Sequence, residues 1–136
     1  MSVEIIFTKK DKEVVEENHT ETVAEALEKK VKTKNETLQW KSSFSECYSR
    51  FYNIIGSKGE YFPEVNFRPN RQDYRAVFVW IPSRKEIRFI KAVRKSDKYT
   101  TSSQWKILKQ IETHPQKVLE EIKQNVETTC NTKETC

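Results

Sequence analysis

Ten cations crowd the stretch from residue 68 to residue 99, and eight of them stand out with a tyrosine: Arg68, Arg71, Arg75, Arg88, Lys91, Arg94, Lys95, Lys98 and Tyr99. These types suit phosphodiester chemistry on RNA. A ribose 2′-hydroxyl can attack the adjacent phosphate when the growing negative charge is stabilised and the ribose is held in line. Guanidinium groups offer paired donors to phosphate oxygens. A lysine or tyrosine with a lowered pKa can move protons in place of histidine, and a tyrosine can instead stack on a base. Any nucleic-acid-binding surface would show the same types, so spacing and position must add the rest.

Other chemistries find little support. Gly56 and Gly59 are the only glycines, which excludes a phosphate-binding glycine loop. No His, Cys or carboxylate cluster has metal-ligand spacing, and no cofactor is implied. His19 and His114 each fall near an expected helix end and read as capping or surface residues. Cys47 sits on an apolar stripe and reads as an inert buried thiol. Three cysteines without pairing pattern, and no signal peptide or apolar span, suggest a reducing, cytoplasmic setting without membrane attachment.

Charge is unevenly placed. The chain of 136 residues carries +5, yet residues 61–100 alone carry +6 and hold six of the seven arginines. A basic strand surface of this kind is an electrostatic footprint for a polyanion. The bland alternative is an ordinary solvated strand face. The charged fraction of 33% exceeds the usual quarter, which fits long solvated helices around a modest core.

The elements that must position these groups follow from pattern. Tyr74–Ile81 and Glu86–Val93 read as paired strands across a Pro82-Ser83 break. In the first, Tyr74, Ala76, Phe78 and Trp80 share one face, while Arg75, Val77, Val79 and Ile81 share the other. Both faces are mostly apolar, so this strand belongs at the centre of its sheet. Arg75 is then a cation in an apolar strand, a place arginine holds when it is paired or when it lines an anion site. In the second strand Ile87, Phe89, Lys91 and Val93 alternate with Arg88, Ile90, Ala92 and Arg94. Arg68, Arg75, Arg88 and Arg94 are expected to converge on one concave surface, with strand register deciding the matter.

Upstream, Val3–Phe7 reads as a short strand, and 11–34 as a helical hairpin broken near His19 by a capping-box pattern at Asn18–Glu21. Thr33–Lys41 reads as a connection, and Phe44, Cys47, Tyr48, Phe51 and Ile55 as the buried stripe of an aromatic helix. Tyr61–Arg68 reads as a strand that Pro63 keeps at an edge. After Tyr99 come a helix through Trp105, Leu108 and Ile111, and a last helix starting near Pro115. One domain over 1–127 is expected, with 128–136 a flexible tail. The fold class is α+β: an antiparallel-rich sheet of about four strands, helices packed on one face, an N-terminal helical hairpin and extra C-terminal helices.

This order resembles the RelE/ParE toxin superfamily of type II toxin–antitoxin systems, and is most similar to its RelE-like messenger-RNA endoribonucleases. The residues that carry the resemblance are Tyr74-Arg75-Ala-Val-Phe, the strand ending Ile90-Lys-Ala-Val93, and Arg94-Lys-Ser-Asp-Lys-Tyr99. It spans about residues 3–100 and is concentrated in 73–99. It implies a cytoplasmic toxin that cleaves mRNA at the ribosome without a metal and is held inactive by a cognate antitoxin protein. By the same match Arg75 contacts the scissile phosphate region, Arg94 or Lys95 is the charged residue after the last strand, and Tyr99 the terminal tyrosine. Arg68, Arg71, Arg88, Lys91 and Lys98 would hold RNA. Where RelE alternates lysines before the Tyr-Arg strand, this chain has Glu64, Asn66 and Arg68, which leaves the general base open. Two alternatives remain: a ParE-like inhibitor of a DNA-handling enzyme, and a non-catalytic nucleic-acid-binding module on the same fold.

Overall fold

β-rich apolar runs in the middle of the chain, joined by a short N-terminal strand, build a four-stranded mixed sheet. The computed structural model describes residues 3–38, 62–97 and 106–129. The strands are β1 (Glu4–Ile6), β2 (Glu64–Phe67), β3 (Tyr74–Ile81) and β4 (Glu86–Arg94). Their order across the sheet is β1-β4-β3-β2, with β1 parallel to β4 and the other two pairings antiparallel. The helices are α1 (Lys9–Asn18), α2 (Glu21–Leu38), α3 (Lys106–Thr113) and α4 (Pro115–Thr129). Short 3-10 turns fill Pro69–Arg71, Pro82–Arg84 and Lys95–Asp97. The expected aromatic helix at 43–55 lies outside the described residues, as does most of the expected tail. Among the described residues no helix is long and apolar enough to cross a membrane.

Local chemistry sets the helix ends. Thr8 caps α1: its hydroxyl accepts from Asp11 N–H at 3.0 Å, while Asp11 returns a bond to Thr8 N–H at 2.9 Å. That reciprocal pair satisfies two helix-start groups and is worth about 1 kcal/mol. The break between the helices falls where expected, but the cap of α2 is Thr20, whose hydroxyl accepts from Val23 N–H at 3.2 Å, rather than Asn18. α2 continues to Leu38, through the segment read as a connection from Thr33. Without Gly or Pro there, and with Leu38 fully buried, the chain gains more by extending the helix.

Helices cover both faces of the sheet, not one. On the hairpin face, Val15, Val23, Ala24, Leu27 and Val31 pack on Tyr74, Ala76 and Phe78. On the far face Val77, Val79, Ile81 and Val93 join Ile111, Val118 and Leu119. The cause is β3 itself, apolar on both sides and therefore needing two layers. Phe78 is fully buried, with Phe89 at a centroid distance of 5.7 Å, and Phe78→Ala would cost about 3–5 kcal/mol.

Two side chains close gaps in the sheet's hydrogen bonding. β1 covers β4 only as far as Arg88. Beyond it, the ladder turns the Ala92 carbonyl away from β3, and His19 Nε2–H donates to it at 2.8 Å. The same ring meets Tyr74 edge-on at 5.3 Å. At the outer edge, Ile5 N–H donates to Asn35 Oδ1 at 2.7 Å, and Asn35 Nδ2 donates to the Ile5 carbonyl at 3.0 Å. Asn35 thus takes the place of a neighbouring strand at Ile5.

Candidate functional site

Register decides which cations meet. Near its C-terminus β4 pairs Arg94 with Tyr74, Val93 with Arg75 and Lys91 with Val77. A bulge between Val77 and Phe78 then shifts the register, so that Phe89 pairs with Phe78 and Arg88 with Val79. Ile90 is the extra residue. Paired residues share a face, and a bulge reverses the parity beyond it. Arg75, Lys91 and Arg88 therefore stand on the far face. Arg94 stands on the hairpin face beside Tyr74. The four arginines expected on one surface do not share it.

β2 supplies the partner for Arg75. Glu64 pairs in register with Val77, and Asn66 with Arg75, so both project on the far face. Arg75 Nε lies 3.1 Å from Glu64 Oε2. The two atoms meet as an ion pair rather than as an aligned hydrogen bond. The Glu64 side chain is 6% exposed and that of Arg75 18%. Burying charges this deep is costly without close partners, so the sequence condition on Arg75 is met by a carboxylate. Lys91 is the diagonal neighbour of Arg75 across the β3–β4 pair and has no ion pair among the described residues.

The remaining predicted residues spread outward. Arg88 Nε and Nη2 donate to Glu86 Oε1 at 3.1 and 3.0 Å. Arg88 also lines a cleft of about 380 Å³ with Ile6, Thr8, Val79, Phe89 and Ile122. Arg68 meets Asp73 at 2.9 Å with both side chains exposed, an arrangement that contributes little to stability. Arg71 is exposed in the turn before β3, where it and Asn70 take positive φ. Lys95 follows β4, and its N–H donates to the Asp73 carbonyl at 2.9 Å. Lys98 and Tyr99 lie outside the described residues. Among the described residues no three His, Cys, Asp or Glu side chains are grouped to hold a metal ion.

Glu64 is the residue to which sequence reasoning gave no role, naming it only as a departure from the lysine pattern. One signal was present: a carboxylate inside the expected strand Tyr61–Arg68, two residues before Asn66, beside a strand carrying a lone arginine. Pairing Asn66 with Arg75 is what turns that signal into a contact. Chemically, the far face offers a carboxylate that can accept a proton, a guanidinium that can stabilise phosphate charge and a lysine close by. No family model matches this chain, and neither the curated proteins nor the solved structures contain a match.

Proposed function

We propose that this protein is an endoribonuclease of RelE-like type whose centre is the Glu64–Arg75 pair, a toxin acting on mRNA at the ribosome and restrained by an antitoxin protein. The observation that carries the reading is the buried contact of 3.1 Å between a carboxylate and a guanidinium on a basic sheet. Strand parity alone would accept an apolar pair there, and such a pair is often at least as stable.

In this reading the phosphate of RNA draws on the guanidinium of Arg75 through bidentate donors. The Glu64 carboxylate then takes the proton of the attacking 2′-hydroxyl. The 2′-oxygen bonds to phosphorus as the bond from phosphorus to the 5′-oxygen breaks. The 5′-oxygen takes a proton from Lys91 or water. The products are a 2′,3′-cyclic phosphate and a 5′-hydroxyl, and no metal is needed. Arg68, Arg71 and Arg88 would hold flanking phosphates, and Tyr99 would stack on a base.

A second reading keeps RNA or DNA binding and drops cleavage. It is favoured by the position of Arg94, which stands on the opposite face from Arg75. One experiment separates the two. Purified protein is incubated with programmed ribosomes and end-labelled mRNA, and the ends of any fragments are mapped. Fragments with 5′-hydroxyl ends, lost in a folded double variant that replaces Glu64 with Leu and Arg75 with Met, support the enzyme. Intact mRNA that is bound supports the module.

A further inference from the structure

Asn66 stands two residues after Glu64 on β2 and lies opposite Arg75 in register. Opposed residues of a strand pair have Cβ atoms about 4.5–5.5 Å apart. The Asn66 Oδ1 is buried and accepts no hydrogen bond among the described residues. Buried acceptors are nearly always bonded, so each exception calls for a reason. A leucine of similar shape would remove the orphan acceptor and extend the apolar surface around Val77 and Val93. Asparagine at this position therefore works against stability. The residue as a whole is only partly buried.

We infer that Asn66 Oδ1 is a ligand group, and that its donor is a ribose 2′-hydroxyl flanking the phosphate held by Arg75. The inference rests on the reading of this face as an RNA site. The attacking 2′-hydroxyl has one proton, which Glu64 takes, so the donor to Asn66 belongs to the neighbouring nucleotide. A hydroxyl donor is the group that distinguishes RNA from DNA at a given position. A site built around an acceptor discriminates against a ligand that lacks the donor, because the acceptor then stays unpaired. Asn66 is thus the residue that makes the face selective for ribonucleotides.

The test uses the full chain and two labelled oligonucleotides of one sequence, RNA and its 2′-fluoro analogue. The analogue keeps the sugar shape of RNA and lacks the hydroxyl donor. Anisotropy is read before the first turnover, and thermal unfolding is followed on the same samples. The wild type is expected to favour RNA by about fivefold or more, the worth of one hydrogen bond. In Asn66→Leu that preference disappears and the melting temperature holds or rises. Asn66→Ala loses the preference too, and serves if leucine overfills the space. A variant that keeps the full preference, or a wild type that binds both oligonucleotides equally, overturns the inference and leaves RNA binding standing. A fall in melting temperature in both variants also overturns it, since the amide would then hold the strands. A wild type that binds neither oligonucleotide overturns the inference, and overturns the RNA reading itself when mRNA on ribosomes is also neither cleaved nor bound.

Discussion

Arg88 and Arg94 are six residues apart on one strand, yet they stand on opposite faces of the sheet. A regular strand would put them on the same side. The bulge at Ile90 separates them: Arg88 pairs with Val79 on the far face, and Arg94 with Tyr74 on the hairpin face. The basic stretch is therefore split, and only its far-face part meets Glu64.

This split predicts different behaviour for the two arginines. Arg88→Ala should weaken RNA binding modestly and flatten its salt dependence, as loss of one phosphate contact does. Arg94→Ala should leave RNA affinity within twofold, since its side chain faces the hairpin. Affinity measured at several salt concentrations separates them. Equal losses for both variants would place the RNA on neither face alone.

Register was only partly legible in the sequence. An unbroken β-rich run marked β3 residue by residue, from Tyr74 to Ile81, as a strand buried on both sides requires. It also put Arg75 in an apolar setting that demands a partner. The identity of that partner depends on how β2 lies against β3, and four residues of β2 carry too little pattern to fix this. The bulge left no mark either, since Ile90 fits a regular strand as well as an extra position. The cover over the far face was implied by Val77, Val79 and Ile81 but needed α3 and α4, which lie well downstream.

The sheet's outer edge yields a second prediction. Asn35 satisfies both backbone groups of Ile5, leaving that position closed to a further strand. Asn35→Ala should expose the edge and raise self-association, seen as concentration-dependent mass by light scattering. Asn35→Asp keeps an acceptor for Ile5 N–H but sets an oxygen against the Ile5 carbonyl, and should destabilise more than it associates. A monomeric, equally stable Asn35→Ala protein would show that the edge is protected by other means.

His19 ties the hairpin to β4 through the Ala92 carbonyl and stacks edge-on with Tyr74. His19→Phe retains a ring for the aromatic contact and loses the donor. It should lower stability by about 1–3 kcal/mol, the cost of a buried carbonyl left unmet. Chemical denaturation with an unchanged slope would measure this directly. No change in the midpoint would mean that water replaces the donor.

Removing one member of the Glu64–Arg75 pair leaves a buried charge, which typically costs about 3–5 kcal/mol. Arg75→Ala should therefore melt early whatever its role, and activity lost in that variant says little. Replacing both charges by apolar residues of similar volume, as in Glu64→Leu with Arg75→Met, avoids the problem and is often neutral or stabilising.

The decisive measurement is single-turnover mRNA cleavage on ribosomes by that double variant, with its folding confirmed by thermal unfolding. A catalytic pair predicts a protein that melts at or above the wild-type temperature and cleaves at least about 100-fold more slowly. A stable double variant that cleaves at the wild-type rate would contradict the catalytic role and leave Glu64 and Arg75 as a strut between β2 and β3.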